Sequence, residues 1–203
     1  MDVKKAEKRP YHHGDLRSAL LQAGELALES GNSESLSLRE LSRAVGVSNN
    51  APRRHFANKQ ALLDALALEG FERLGAVLNR AIADREQSFD TRIVKLARAH
   101  VRFAIKHPAL IRLMFSAKHR SDAPAELLAA SHLALSPGPA TVVDGQASGT
   151  VVSGDPARLA LVVFSAVEGL IALSTDGQFG GVPLDRLVEE IVAQIILGLR
   201  PRP

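Results

Sequence analysis

Five side chains that can recognise nucleic acid lie within seven positions of the sequence, Asn49, Asn50, Arg53, Arg54 and His55. An Asn amide can form two hydrogen bonds to adenine, and an Arg guanidinium can form two to guanine. Arg and His can also bind phosphate oxygens. This set favours binding to double-stranded DNA if the fold presents it on one surface. The alternative is a helical hairpin whose polar residues only face solvent.

A short helix that ends in a tight turn is predicted just before this set. Ser37 can cap the N-terminus of the helix, and Glu40 stands three residues later, as in a capping box. Gly46 occupies the position where helices commonly end in the left-handed conformation. A second helix that follows such a turn can enter the DNA major groove, so the pattern predicts a helix–turn–helix.

Pro52 limits where the second helix can begin. Proline costs about 3 kcal/mol inside a helix but little in its first turn. We therefore expect Ser48 or Asn49 to cap a helix that runs to His55. Phe56 is the expected apolar anchor between this helix and the first.

Groups that can bind phosphate flank this segment. Asn58 can cap a long helix that begins at Lys59, where free N–H groups and the ammonium can bind a phosphate. Residues 1–60 contain ten Lys/Arg and seven Asp/Glu, so the formal net charge of +3 lies entirely in this part of the chain. Residues 1–10 form a basic arm that can follow phosphates, or else a solubilising tail. The predicted DNA contacts are Ser37, Arg39, Ser48, Asn49, Asn50, Pro52, Arg53, Arg54, His55 and Lys59.

Three segments of this region resemble the tetracycline-repressor (TetR) family of transcriptional regulators. They are YHHGDLRSALLQAG from Tyr11, SLRELSRAVGVS from Ser37 and APRRHFANKQALLDAL from Ala51, with a weaker match in HVRFAIKHPALIRLMF from His100. Many relatives have Tyr at the position of Arg53, so the resemblance does not give the operator sequence. It implies an N-terminal DNA-binding domain and a C-terminal domain that binds a small-molecule effector.

Composition excludes several classes of protein. The 203 residues are 46% hydrophobic and 23% charged, and they include no Cys, so disulfides and thiolate metal sites are excluded. The sequence contains neither a run of about 18 uninterrupted apolar residues nor an apolar secretory segment at its start. It has no phosphate-binding glycine loop and no assembled Ser/His/Asp set. His12 and His13 lack a third ligand at a recognisable spacing. We therefore expect a cytoplasmic protein that is not an enzyme and needs no cofactor or metal.

Beyond residue 88 the apolar spacing predicts a second, all-helical domain. Asp122 is expected to cap one of its helices, and residues 136–154 are expected to form a loop or a broken helix because they are rich in Pro, Gly and Ser. The predicted organisation is an arm (1–10), a helix–turn–helix domain (11–57) whose connecting helix runs to about residue 86, and an effector-binding and dimerisation domain (88–203). Three predicted helices of the last domain span residues 90–106, 156–174 and 183–199. Between the first two, a short helix follows Pro108 and contains Leu110, Ile111, Met114 and Phe115, and another begins near Asp122 and runs to Ser136.

The last two helices are more apolar than one packed face requires. The final helix has an apolar band that usually needs two partners. We expect these helices to form a four-helix interface with a two-fold copy of the chain. The alternative is a wholly intramolecular core.

Bulky or polarisable side chains in the second domain are candidates for effector binding, and core packing is the alternative for each. Glu168 is the most informative because a carboxylate in the middle of an apolar helix needs a partner or a shifted pKa. The resemblance leaves the effector unidentified, since relatives often have Trp and a His-Gly pair where this chain has Phe164 and Glu168-Gly169. The full set is His100, Phe103, Met114, Phe115, His132, Phe164 and Glu168.

The sequence thus predicts an all-α homodimer that regulates transcription, most simply a repressor that a small molecule releases from a palindromic operator. Two alternatives stay open. One is a DNA-binding recruiting protein without a ligand, which a C-terminal domain lacking a cavity would favour. The other is a helical carrier or enzyme that keeps the helix–turn–helix as a scaffold.

Overall fold

The computed structural model describes residues 16–31, 36–175 and 182–202. The predicted basic arm, the His12–His13 pair and the loop that follows Thr175 lie outside the described residues. The described part of the chain is helical and contains no strand, which confirms the predicted all-α class. Its elements are α1 (Leu16–Glu29), α2 (Leu38–Ala44), a 3₁₀ helix (Pro52–Arg54), α3 (Lys59–Ala81), α4 (Phe89–Lys106), α5 (Pro108–Lys118), α6 (Ala125–Leu135), α7 (Pro137–Ala147), α8 (Pro156–Thr175) and α9 (Leu184–Leu199).

The chain divides into two compact units, Met1–Leu66 and Ala67–Pro203, with the boundary inside α3. In the first unit α1, α2 and the 3₁₀ helix pack on one another. Phe56 is 3% exposed and is part of the core of this unit, as predicted. Gly24 gives α1 a close approach to α3, because a Cβ at this position would lie 3.1 Å from Cδ1 of Leu66.

Three predicted helix ends of the first unit are confirmed, whereas neither Ser48 nor Asn49 caps a helix, since Ala51 precedes the 3₁₀ helix without a side-chain cap. The Ser37 hydroxyl accepts a hydrogen bond from the backbone N–H of Glu40 at 3.2 Å and donates one to its carboxylate at 3.0 Å. Gly46 has φ +72°, the left-handed conformation expected after α2. Asn58 caps α3, since its Oδ1 accepts a hydrogen bond from the N–H of Ala61 at 2.9 Å.

The prediction of an α-helix from Asn49 to His55 was wrong. Residues 49–51 form a turn, and only Pro52–Arg54 are helical, as a single 3₁₀ turn. An α-helix would need an N–H at residue 52 to bond the carbonyl of Ser48, but proline has none. That carbonyl instead accepts a bond from the N–H of Ala51 at 3.0 Å. Residues 49–55 therefore follow α2 where the second helix was predicted, but they form a turn and one 3₁₀ turn instead of an α-helix.

Helix α4 is central to the second unit, where it packs against α7, α8 and α9. Phe71, Val101, Met114 and Val192 are among the fully buried side chains of its core. The last two predicted helices are confirmed to within one residue at each end. Asp155 caps α8, because its Oδ1 accepts a hydrogen bond from the N–H of Ala157 at 2.9 Å.

Residues 137–147 form helix α7, so the predicted loop was wrong over this segment. Pro137 and Pro139 both fall in the first turn of α7, where N–H groups have no partner within the helix and proline removes nothing. The hydroxyl of Thr141 then donates to the carbonyl of Pro137 at 2.8 Å. Thr141 and Val142 are fully buried, so tertiary packing stabilises a helix that its composition disfavours.

Two predicted helix boundaries were also wrong. Asp122 does not cap α6, because the N-terminal cap position is Pro124 and the carboxylate of Asp122 is paired with Arg120 at 2.8 Å. Helix α3 ends at Ala81, about five residues earlier than the apolar pattern indicated.

Candidate functional site

The first candidate site is the surface of residues 48–55, which we call the reading segment. Ser48, Asn49, Asn50, Arg53, Arg54 and His55 are all exposed, as their predicted role requires. Pro52 is buried and Phe56 follows it into the core, so the segment is held from beneath. The guanidinium of Arg17 on α1 lies 5.7 Å from the centre of the Phe56 ring and covers this anchor. The arrangement presents amide, guanidinium and imidazole groups on one short turn.

The predicted phosphate-binding residues flank the reading segment in different ways. Arg39 in α2 and Lys59 at the start of α3 are exposed. Ser37 is only half-buried, but both of its hydroxyl bonds already go to Glu40. Its observed role is to cap α2.

The second candidate site is a cavity of about 290 Å³ within the second unit, which we call the effector cavity. Helices α3 to α8 each contribute to its wall. Among the described residues that line it, only His100 and Lys118 have polar side chains. The lining comprises Leu78, Ile93, Leu96, Ala97, His100, Lys118, Leu135, Gly138, Pro139, Ala157, Ala160, Leu161, Val163, Phe164 and Val167.

Of the predicted effector-binding residues, His100 and Phe164 line this cavity, and their rings are 5.6 Å apart. Phe115 and Glu168 line a second cavity, of about 520 Å³, together with Arg112. The two groups meet, because Nε2 of His100 lies 3.0 Å from Oε1 of Glu168. The imidazole thus lies within salt-bridge distance of the Glu168 carboxylate, although neither Nε2 nor Oε1 makes a hydrogen bond within the described residues.

The other three candidates are not part of either cavity. Met114 is fully buried against Gly70, since a Cβ added to Gly70 would lie only 2.6 Å from the Sδ of Met114. Phe103 is buried against Arg73 and His107. His132 is exposed on α6.

Sequence analysis missed Lys118, the second polar residue of the effector cavity. Its Nζ lies 4.4 Å from the centre of the Phe115 ring and 5.9 Å from that of Phe71. Burial lowers the pKa of Lys118, and the negative charge of Glu168 raises it in part. A signal was present in the sequence, since Lys118 stands four residues after Met114 and shares the apolar face of α5.

Helices α8 and α9 expose large apolar side chains. Leu161 and Val162 on α8 and Leu197 on α9 are at least half exposed, with Leu197 at 66%. The stretch Pro156–Ser174 of α8 has a mean hydropathy of 1.8 and is long and apolar enough to cross a membrane, a test that core helices of soluble proteins also pass. This one helix does not indicate a membrane protein, because the fold and the family described next are those of soluble DNA-binding proteins.

Comparison with known proteins places the chain in a family. Residues 93–197 match the family described as "Tetracyclin repressor-like, C-terminal domain". The chain therefore belongs to the TetR family of transcriptional regulators, and the resemblance seen in the sequence is confirmed. A solved structure of a protein of unknown function from Rhodococcus sp. RHA1 is 40% identical, with a TM-score of 0.89 over 96% of this chain and 100% of that chain.

More distant solved structures share the fold. The TetR family transcriptional regulator PfmR from Thermus thermophilus is 19% identical, with a TM-score of 0.68 over 90% of this chain and 99% of that one. A TetR family regulator from Marinobacter aquaeolei is 17% identical, with a TM-score of 0.74 over 93% and 97%. No curated protein matches this chain. Regulators of this family bind DNA operators, dimerise and are generally not enzymes.

Proposed function

We propose that this protein is a sequence-specific transcriptional regulator, a repressor that a small-molecule effector releases from a palindromic operator. The observation that carries the proposal is the exposure of the reading segment above a buried anchor. Six of its eight residues can donate or accept hydrogen bonds from an exposed position, while Pro52 and Phe56 are buried. The helix–turn–helix domain is residues 11–57, and the protein acts in the cytoplasm.

The protein makes two kinds of contact with DNA, one that reads the base sequence and one that positions the protein on the phosphates. Asn49, Asn50, Arg53 and Arg54 contact base edges, with amides suited to adenine and guanidiniums to guanine. Lys59, Arg39 and the basic arm bind phosphates and set the orientation on the duplex. Since Arg53 stands where many relatives have Tyr, base preference at its contact is specific to this chain.

A homodimer supplies the second reading segment. The exposed apolar side chains of α8 and α9 support an interface between two copies through these helices. Leu197→Glu would place a charge in that interface, whereas Leu133→Glu changes an equally exposed residue of α6. We expect sedimentation to give a dimer for the native chain and for Leu133→Glu, and a species near 21.7 kDa for Leu197→Glu. A native protein that sediments as a monomer would overturn the dimer.

The effector cavity is lined by residues of the domain 88–203 and by Leu78 of α3. Helix α3 begins at Lys59 and contributes Leu78 to the cavity wall, so one helix carries residues of both predicted sites. A ligand that displaces α3 would change the spacing of the two reading segments. DNA affinity would then fall while the dimer persists. A cavity of this size also favours a ligand-binding regulator over a recruiting protein with no ligand.

The decisive experiment is selection of bound sequences from a random duplex pool, followed by anisotropy titration at several salt concentrations. A symmetric motif bound at least ~10³-fold more tightly than random DNA supports the proposal. Binding that is salt-sensitive but yields no motif would overturn sequence-specific recognition and favour the recruiting protein. Undiminished affinity in Asn50→Ala and Arg53→Ala variants would instead favour a carrier with an unused helix–turn–helix.

A further inference from the structure

The effector cavity is shaped for a small, mostly apolar molecule. Its volume of about 290 Å³ lies at the small end of the range of ligand pockets, about 300–1,000 Å³, which suits a small ligand such as one of about ten non-hydrogen atoms. Small residues on three helices, Ala97, Gly138, Ala157 and Ala160, leave this space open. Leu, Ile, Val and Phe side chains form nearly all the remaining wall. An unbranched aliphatic chain matches such a surface in both size and polarity.

The two polar side chains in the wall of the cavity are the imidazole of His100 and the ammonium of Lys118. His100 is 4% exposed, and its Nε2 has no hydrogen bond of good geometry within the described residues, although Oε1 of Glu168 is 3.0 Å away. Lys118 is partly buried, and in the described part of the chain no carboxylate lies within 4.0 Å of its Nζ. Burial removes part of the hydration of this ammonium, and within the described residues two aromatic rings and the more distant charge of Glu168 offset the loss only in part. Lys118 therefore offers a charged hydrogen-bond donor to whatever enters the cavity.

A cationic ligand fits this wall poorly. The aromatic faces that would attract a cation are those of Phe71 and Phe115, and the ammonium of Lys118 already lies over both. A second cation would be repelled by Lys118, and the nearest carboxylate, that of Glu168, borders the other cavity and already lies 3.0 Å from His100. The charge of the wall thus favours an anion.

We propose that the effector cavity binds an aliphatic carboxylate of about ten non-hydrogen atoms, with its carboxylate on Lys118 and its chain among the apolar side chains of α4, α7 and α8. The imidazole of His100 lies beside the carboxylate as a second donor. The identification of this ligand as the effector rests on the proposed function. The binding of this ligand to the free protein does not depend on the proposed function, since every residue that lines the cavity belongs to the unit 67–203 and none belongs to the reading segment.

Three probes of equal length isolate the head group: octanoate, 1-octanol and octylammonium. Calorimetric titration of the full-length protein without DNA should give octanoate an affinity at least about tenfold above that of the other two, because a carboxylate gains a charge-assisted hydrogen bond. Lys118→Met keeps the length of the side chain and removes its charge. It should lower octanoate affinity at least about tenfold while octanol affinity stays within about twofold. Lys95→Met, a change at an exposed residue of α4 outside the cavity, should leave every affinity unchanged.

Ala160→Leu tests the location independently, because a larger side chain fills the cavity and should weaken octanoate and octanol alike. Thermal unfolding of each variant verifies that it is folded. The inference is overturned if octylammonium binds as tightly as octanoate, if Lys118→Met leaves octanoate binding unchanged, or if none of the probes binds the folded native protein.

Adding the operator separates this inference from the proposed function. Octanoate that binds the free protein through Lys118 but leaves operator affinity unchanged supports the carboxylate site and removes its role as the effector site. Specific operator binding by a protein that does not bind octanoate overturns the carboxylate site and leaves DNA recognition standing.

Discussion

The reading segment and the effector cavity differ in how the chain builds them. The reading segment is eight consecutive residues whose functional side chains are exposed and whose anchor is adjacent in sequence. The effector cavity takes its 15 lining residues from six helices spread over residues 78–167, and of its polar residues His100 is buried and Lys118 partly buried. A site made of neighbours depends on local rules such as capping and proline geometry. A site made of distant residues depends on how helices pack, which no short stretch encodes.

Removal of the anchor beneath the reading segment should have the largest effect. Phe56→Ala is expected to cost about 3–5 kcal/mol of stability, because it leaves a cavity under the segment. The main core cluster consists of residues 67 onward and excludes Phe56, so amide hydrogen exchange should accelerate in residues 16–66 while α4 to α9 stay protected. Leu26→Ala, at a residue of α1 that is 72% exposed, should change stability by less than about 0.5 kcal/mol. Equal loss of protection throughout the chain would contradict the contrast between the two units.

A change to the exposed surface of the reading segment should affect DNA affinity without affecting the fold. Arg53→Ala is expected to weaken binding to the selected operator by about 1–3 kcal/mol, or about 5- to 150-fold, since it removes a base contact. Anisotropy titration measures the loss. Arg80→Ala, which removes an exposed arginine at the end of α3, is the matched control. If both variants bind the operator equally well, Arg53 makes no base contact.

Two glycines of α7 test how tightly the second unit is packed. A Cβ on Gly145 would lie 2.6 Å from Cγ2 of Val151 and 2.8 Å from Cδ2 of Phe89, so Gly145→Ala is expected to cost about 1–3 kcal/mol. A Cβ on Gly138 would meet only Cβ of Ala160, at 3.8 Å, and Gly138→Ala should stabilise by up to about 1 kcal/mol because alanine is the better helix former. Urea unfolding measures both variants. Shifts of the same sign would show that local helix propensity outweighs packing here.

The smallest expected effect concerns the cap of α2. Ser37→Ala removes the acceptor of the Glu40 N–H and should lower stability by about 1 kcal/mol. Ser153→Ala, at an exposed residue outside the helices, serves as the control. A loss of operator affinity without loss of stability would show that Ser37 contacts phosphate rather than acting as a cap.

Some errors of prediction fall where tertiary contacts override local preference. The turn after α2, the caps of α2 and α3 and the ends of α8 and α9 follow from short sequence patterns and were predicted to within one residue. Helix α7 was not, because its Pro, Gly and Thr content disfavours a helix until Val142 is buried. Likewise His132 and His100 look alike in sequence, but one is exposed and the other lines the effector cavity.

The sequence by itself determined the all-α class, the turn after α2 and the caps around it, because caps and helical periodicity act over a few residues. The family followed from the resemblance of three sequence segments to known regulators. Only the tertiary structure decided that Lys118 and His100 line one apolar cavity and that Glu168 lies 3.0 Å from His100. These are contacts between residues up to 68 positions apart. Their geometry depends on the packing of whole helices, and side-chain type alone does not specify it.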